Sequence, residues 1–91
     1  MKRFAEARAE EVFRNAAFPG VPSHIARRGR WLMHLLVAAQ EWDDVGVIAK
    51  DRVARFTRTE GLFGVQVEGK WFVTFMWIPP MGVMEIGLTR R

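Results

Sequence analysis

Proton transfer near neutral pH is the natural work of histidine, and this chain has two, His24 and His34. Neither has a carboxylate at the i+3 or i+4 spacing that would build a metal site on a helix, so no metal centre is expected. The chain has no cysteine and no tyrosine, which removes thiolate chemistry, disulfides and a phenolic acid. Arginine is the abundant chemistry-bearing side chain. Lys and Arg together number 14 against 10 Asp and Glu, giving a net charge of +4 and a pI of about 10.7. Only Lys2, Lys50 and Lys70 are lysines. The planar guanidinium fork suits phosphate and carboxylate oxygens, so the expected partner is a polyanion, RNA or DNA, or an acidic protein. The densest cluster is Arg27, Arg28 and Arg30, more cationic than solubility requires. The plainer reading is a solvated basic helix face, with His24 and His34 as boundary residues of the same helix.

The elements that must position these residues follow from periodicity. At 91 residues and 49% hydrophobic, the chain suits one domain, residues 1–91, with a modest core. No apolar run approaches the roughly 20 residues of a membrane helix. The start, MKRFAEARAEE, brings acids early and lacks an apolar h-region, so a cytoplasmic protein is expected. Ala5, Ala9, Val12, Phe13 and Ala16 recur at helical spacing and predict a first helix over Ala5–Ala16. The stretch FPGVP stops it. A second helix is predicted from Ser23 to about Glu41, its stripe formed by Ile25, Leu32, Leu35, Leu36 and Ala39. Gly29 on that stripe would let the two helices approach closely. EWDDVGVIAKD reads as a connection, because its acids and Gly46 argue against a helix.

Strands follow. Arg52–Phe56 is a short candidate, and Leu62–Val67 alternates. Glu68–Gly69 reads as a tight turn. Lys70–Ile78 is the most strongly patterned strand, with Trp71, Val73, Phe75 and Trp77 on one face and Phe72, Thr74 and Met76 on the other. Pro79–Gly82 turns the chain, Val83–Leu88 is the last strand, and Thr89-Arg90-Arg91 is a basic tail. Short turns imply an antiparallel meander. The expected class is α+β, two N-terminal helices packed on one face of a small antiparallel sheet.

This order of elements resembles the HigB/RelE family of bacterial toxins from type II toxin–antitoxin systems. The resemblance spans nearly the whole chain. KRFAEARAEEVF looks like the family's short first strand and amphipathic helix. GVPSHIARRGRWLMHLLVAAQEWDDV resembles its second helix, GLFGVQVEGKWFVTFMW its central hairpin, and MEI its final strand. The resemblance implies a RelE/ParE-like fold and a ribosome-dependent mRNA endonuclease without a cofactor. It also implies a partner antitoxin, often a helix-turn-helix protein. The related ParE branch keeps the fold, poisons DNA gyrase and cuts no RNA.

Departures from the family pattern fall at the chemistry. Its hairpin strand reads W-R-x-x-F-R, and here Phe72 and Met76 stand where the arginines would. Leu88, Thr89 and Arg90 occupy the place of its D-Y-H-like ending. Cleavage of RNA needs a base, an acid and cations on the charged phosphorane. The remaining candidates for charge stabilisation are Arg55, Arg58 and Arg90, flanking the second sheet face. Glu60, Glu68 and Glu85 remain as bases, with Glu68 assigned to the turn. Arg27, Arg28, Arg30, Lys70 and Arg91 are the expected contacts to ribosomal RNA and mRNA phosphates. Phe72 and Met76 are the expected partner-binding residues, covered by an antitoxin, a second copy of the chain, or its own tail. A toxin-fold protein without nuclease activity, or one with a ParE-like target, is the alternative.

Overall fold

A computed structural model describes residues 1–49 and 61–91, together with the backbone of residues 53–55. Helices α1 (Ala7–Asn15), α2 (Ser23–Ala38) and α3 (Trp42–Ala49) precede strands β1 (Val53–Arg55), β2 (Leu62–Glu68), β3 (Trp71–Ile78) and β4 (Gly82–Arg90). The strands form one antiparallel sheet in the order β1-β2-β3-β4. This is the expected α+β layout, an antiparallel meander with helices on one face. No helix among the described residues is long and apolar enough to cross a membrane.

Alternation decides which face meets the helices. Val65, Val67, Val73, Phe75, Ile86 and Leu88 are buried in one core with Val12, Ile25, Met33 and Leu36 of α1 and α2. Trp71 and Trp77 pack at the two ends of that core. Val73 pairs with Leu88 and Trp77 with Val83, so these pairs share the helix-facing side. Strand β4 carries an extra residue between Met84 and Gly87, where Glu85 takes φ 52°. The bulge resets the alternation, so Val83 and Ile86 both reach the core.

The bulge also anchors the N-terminal segment. Glu85 N–H donates to the Lys2 carbonyl at 2.9 Å and Ile86 N–H to the Arg3 carbonyl at 2.8 Å. Ala5 N–H donates to the Ile86 carbonyl at 2.8 Å, and Phe4 forms a parallel bridge with Ile86. Glu6 then accepts from Leu88 N–H at 3.0 Å, and the Arg8 guanidinium donates to the Leu88 carbonyl. Residues 2–8 therefore cap the β4 edge that would otherwise present unpaired backbone groups.

Several boundaries differ from the pattern reading. Residues 42–49, read as a connection, are helical. The acids that argued against a helix sit in its first turn, where negative charge favours the helix N-terminus. The Asp44 carboxylate accepts from the backbone N–H of Glu41 at 3.0 Å and of Gln40 at 2.9 Å, half of a capping box. α2 ends at Ala38 rather than near Glu41. Gly29 faces the sheet, not α1: a Cβ there would lie 3.7 Å from Leu88 Cδ1. α1 and α2 instead meet through Phe13, stacked on His34 at 4.1 Å, and through Arg30 Nε, which donates to the Phe13 carbonyl at 2.9 Å. The hairpin loop is Gly69-Lys70, one residue later than expected, with Gly69 at φ 57°. Thr89 and Arg90 belong to β4 rather than to a tail.

The Asp44 cap gives a pH prediction. The Glu41 amide first, then that of Gln40, holds its carboxyl below the ordinary 3.8. A depressed folded pKa contributes stability that is present above the unfolded value and is lost as pH falls through the folded one. Asp44→Asn keeps an acceptor and removes the titration. Melting curves from neutral to acid pH are expected to converge for the variant and the parent below the carboxylate range. A constant offset at every pH would remove Asp44 from this role.

Candidate nucleic-acid interface

α2 distributes its cations by helical geometry. Arg27, Trp31 and His24 fall on one exposed flank, with Arg28 beside them. Arg30 and His34 lie on the other flank, against α1. The dense arginine run of the sequence is therefore split. Two of its three guanidinium groups share a surface and the third is tied to the Phe13 carbonyl.

The shared surface sits over the β2–β3 turn. His24 Nε2 lies 3.1 Å from Glu68 Oε2, both side chains well exposed. His24, Arg27, Arg28, Trp31 and Glu68 line one broad depression. A narrower crevice next to it is lined by Arg28, Trp31, Leu32, Ile48, Ala49, Val65 and Gln66. Trp31, 56% exposed, is common to both. Trp31 is not among the residues that composition and charge single out. Its signal was the i,i+4 spacing from Arg27, hidden because the same spacing also fits a helix stripe.

More cations reach the same end of the sheet. Lys70 is exposed in the hairpin loop, and its carbonyl accepts from Arg91 N–H at 2.7 Å. Arg90 pairs with Trp71. Directly paired residues share a face, so Arg90 lies on the helix side of the sheet and not on the second face. This corrects its expected placement, and the cause is that β4 runs on through Thr89 and Arg90. The Arg8 guanidinium lies 5.9 Å from the Trp71 ring centroid. Arg27, Arg28, Lys70, Arg90 and Arg91 are thus gathered towards one end of the molecule. Arg55 pairs with Phe63 at the backbone level, and Arg58 and Glu60 lie outside the described residues.

The second sheet face has a different character. Phe72 pairs with Gln66 and Thr89, and Met76 with Leu62 and Met84. Between these rows, Thr74 is flanked by Gly64 and Gly87. Phe72 and Met76 are half-buried, as their apolar character leads one to expect at a face that is only partly covered. Thr74 and Met84 are 8% and 7% exposed, so the middle of this face is closed to solvent. Glu85, one of the candidate bases, accepts from Lys2 N at 3.1 Å through Oε1. Glu68 faces His24 on the helix side. The paired side chains of this face offer hydroxyl, amide, thioether and hydrocarbon groups. At its rim Glu6 holds the Leu88 amide. There Glu6 also pairs with the Arg8 guanidinium, 3.5 Å away, and both are engaged by the Leu88 backbone, so the described residues of this face are set to bind through shape and dispersion.

Among the described residues, no group of His, Asp and Glu is placed to hold a metal ion. Compared with known proteins, the chain matches no family model, and no curated sequence matches it.

Proposed function

We propose that this chain is a RelE/HigB-like toxin of a type II toxin–antitoxin module that acts by binding rather than by cutting. On this reading the α2 flank with Arg27, Arg28 and Trp31 engages ribosomal RNA in the cytoplasm. An antitoxin covers the Phe72 and Met76 rows of the second face. The observation that carries the reading is the division of labour between surfaces. Cations and an exposed indole stand together at one end of the helix layer, while the sheet face that would carry cleavage chemistry is built from Phe72, Met76 and the nearly enclosed Thr74 and Met84. The reading draws support from helices α1 and α2 beside a short antiparallel meander and from the N-terminal segment joined to the last strand, with α3 an addition to the expected two helices.

The ribosome-dependent mRNA endonuclease is the second reading. It keeps Arg55 and Arg58 as phosphorane-stabilising candidates. Arg90 is the weaker one, because it lies on the helix side.

Induced expression in a bacterial host separates the readings, with growth followed and mRNA ends mapped by primer extension. Growth arrest without cuts inside translated codons is expected. Cuts at codons would favour the endonuclease, and alanine at the arginine contacting the phosphate should then cost about 10²–10³ in cleavage rate. Normal growth would overturn the toxin assignment.

A further inference from the structure

We propose that Trp31 is a stacking platform for one unpaired base of single-stranded RNA, with Arg27 and Arg28 on the flanking phosphates. This deepens the reading above and rests on its claim that the α2 surface binds RNA.

Trp31 lies outside the buried stripe of α2. The buried positions of α2 are filled by Ile25, Ala26, Leu32, Met33 and Leu36, and the indole is left 56% exposed. It stands between two depressions, and Arg28 lines both of them with it. On one side the surface continues as His24 and Arg27, on the other as Leu32, Ile48 and Ala49. A base laid on the indole would meet Leu32, Ile48, Ala49, Val65 and Gln66 in the narrower crevice, while its phosphates would meet guanidinium groups. Glu68 is the carboxylate at the rim, and its oxygen faces the His24 imidazole. Every base has a π-face, so such a platform tolerates sequence. It reaches only bases that are not stacked within a helix, which selects single strands over duplex. The two guanidinium groups beside the indole, Arg27 and Arg28, give the charge complementarity that a phosphate backbone would meet.

The test is fluorescence anisotropy of a labelled oligouridylate of about ten nucleotides, titrated with the full chain at several salt concentrations. A duplex RNA of the same length is the comparison. Trp31→Ala is expected to weaken single-strand binding by about 10-fold, within the range for losing one stacked base, and Trp31→Phe to retain most of it. Arg27→Ala with Arg28→Ala should lower the salt slope by about 1.4, two single-strand phosphates at roughly 0.7 each. Because the ring is exposed, Trp31→Ala should melt with the parent, so a binding loss is not an unfolding loss. Single-strand binding that survives Trp31→Ala unchanged would overturn the platform and leave RNA binding standing. So would duplex bound as tightly as single strand. An unmutated chain that binds no RNA would overturn the RNA-binding reading itself. Self-association abolished by Trp31→Ala, with RNA affinity unmoved, would assign the surface to a second copy of the chain.

Discussion

Phe75→Ala is expected to destabilise the fold by about 3–5 kcal/mol, the scale for truncating a buried aromatic ring. Phe75 is fully buried at the middle of β3, stacked on Phe63 with ring centroids 5.8 Å apart. It lies in the core cluster that joins the sheet to α1 and α2. A domain of this size has a total stability of only about 5–15 kcal/mol, so the variant would be partly unfolded at moderate temperature. Urea titration followed by far-UV circular dichroism measures the loss. Val47→Ala is the control, because Val47 is 73% exposed and should move stability by no more than about 0.5 kcal/mol. Similar midpoints for the two variants would mean that the core is not organised around Phe75.

Gly87→Ala is expected to be the second most damaging change. A Cβ at Gly87 would stand 2.7 Å from Thr74 Oγ1, inside any real contact distance. Thr74 is nearly enclosed, so its short side chain cannot swing clear. Overpacking of this kind costs about 1–3 kcal/mol. The clash is with one side chain, so removing it should rescue. Thr74→Ala combined with Gly87→Ala is expected to be less destabilised than the sum of the single changes by about 0.5 kcal/mol or more. Strict additivity in the urea midpoints would show that Gly87 is needed for another reason.

The layers were legible because the periodicities were clean. Trp71, Val73, Phe75 and Trp77 face the helices as alternation requires. Ile25, Leu32 and Leu36 face the sheet as the 3.6-residue period requires. The helix over residues 42–49 was not legible, because Asp43 and Asp44 read as breakers when they are taken as interior residues and as stabilisers when they form the first turn. Which of these they are depends on where α2 stops. Arg90 was misplaced for a related reason. A short basic ending looks like solvated chain, and only the pairing with Trp71 shows that it is a strand. Of the candidate interface, the arginine cluster was visible as composition. Its division between two flanks was not, since it depends on Arg30 finding the Phe13 carbonyl. The pairing of His24 with Glu68 joins two elements far apart in sequence and left no local signal.

The capping of β4 by residues 2–8 sets the order in which this fold can be completed. Glu6 and Leu88 are 82 positions apart, and Lys2 and Glu85 are 83 apart. A contact of such separation carries the largest loop-closure cost in the chain, so it forms late and slows folding. As the polypeptide is synthesised, the helices and the first hairpin can assemble while residues 2–8 still have nothing to pair with. The sheet gains its last edge only when the final strand has emerged, and until then a partly made chain carries an open strand that a neighbour can join.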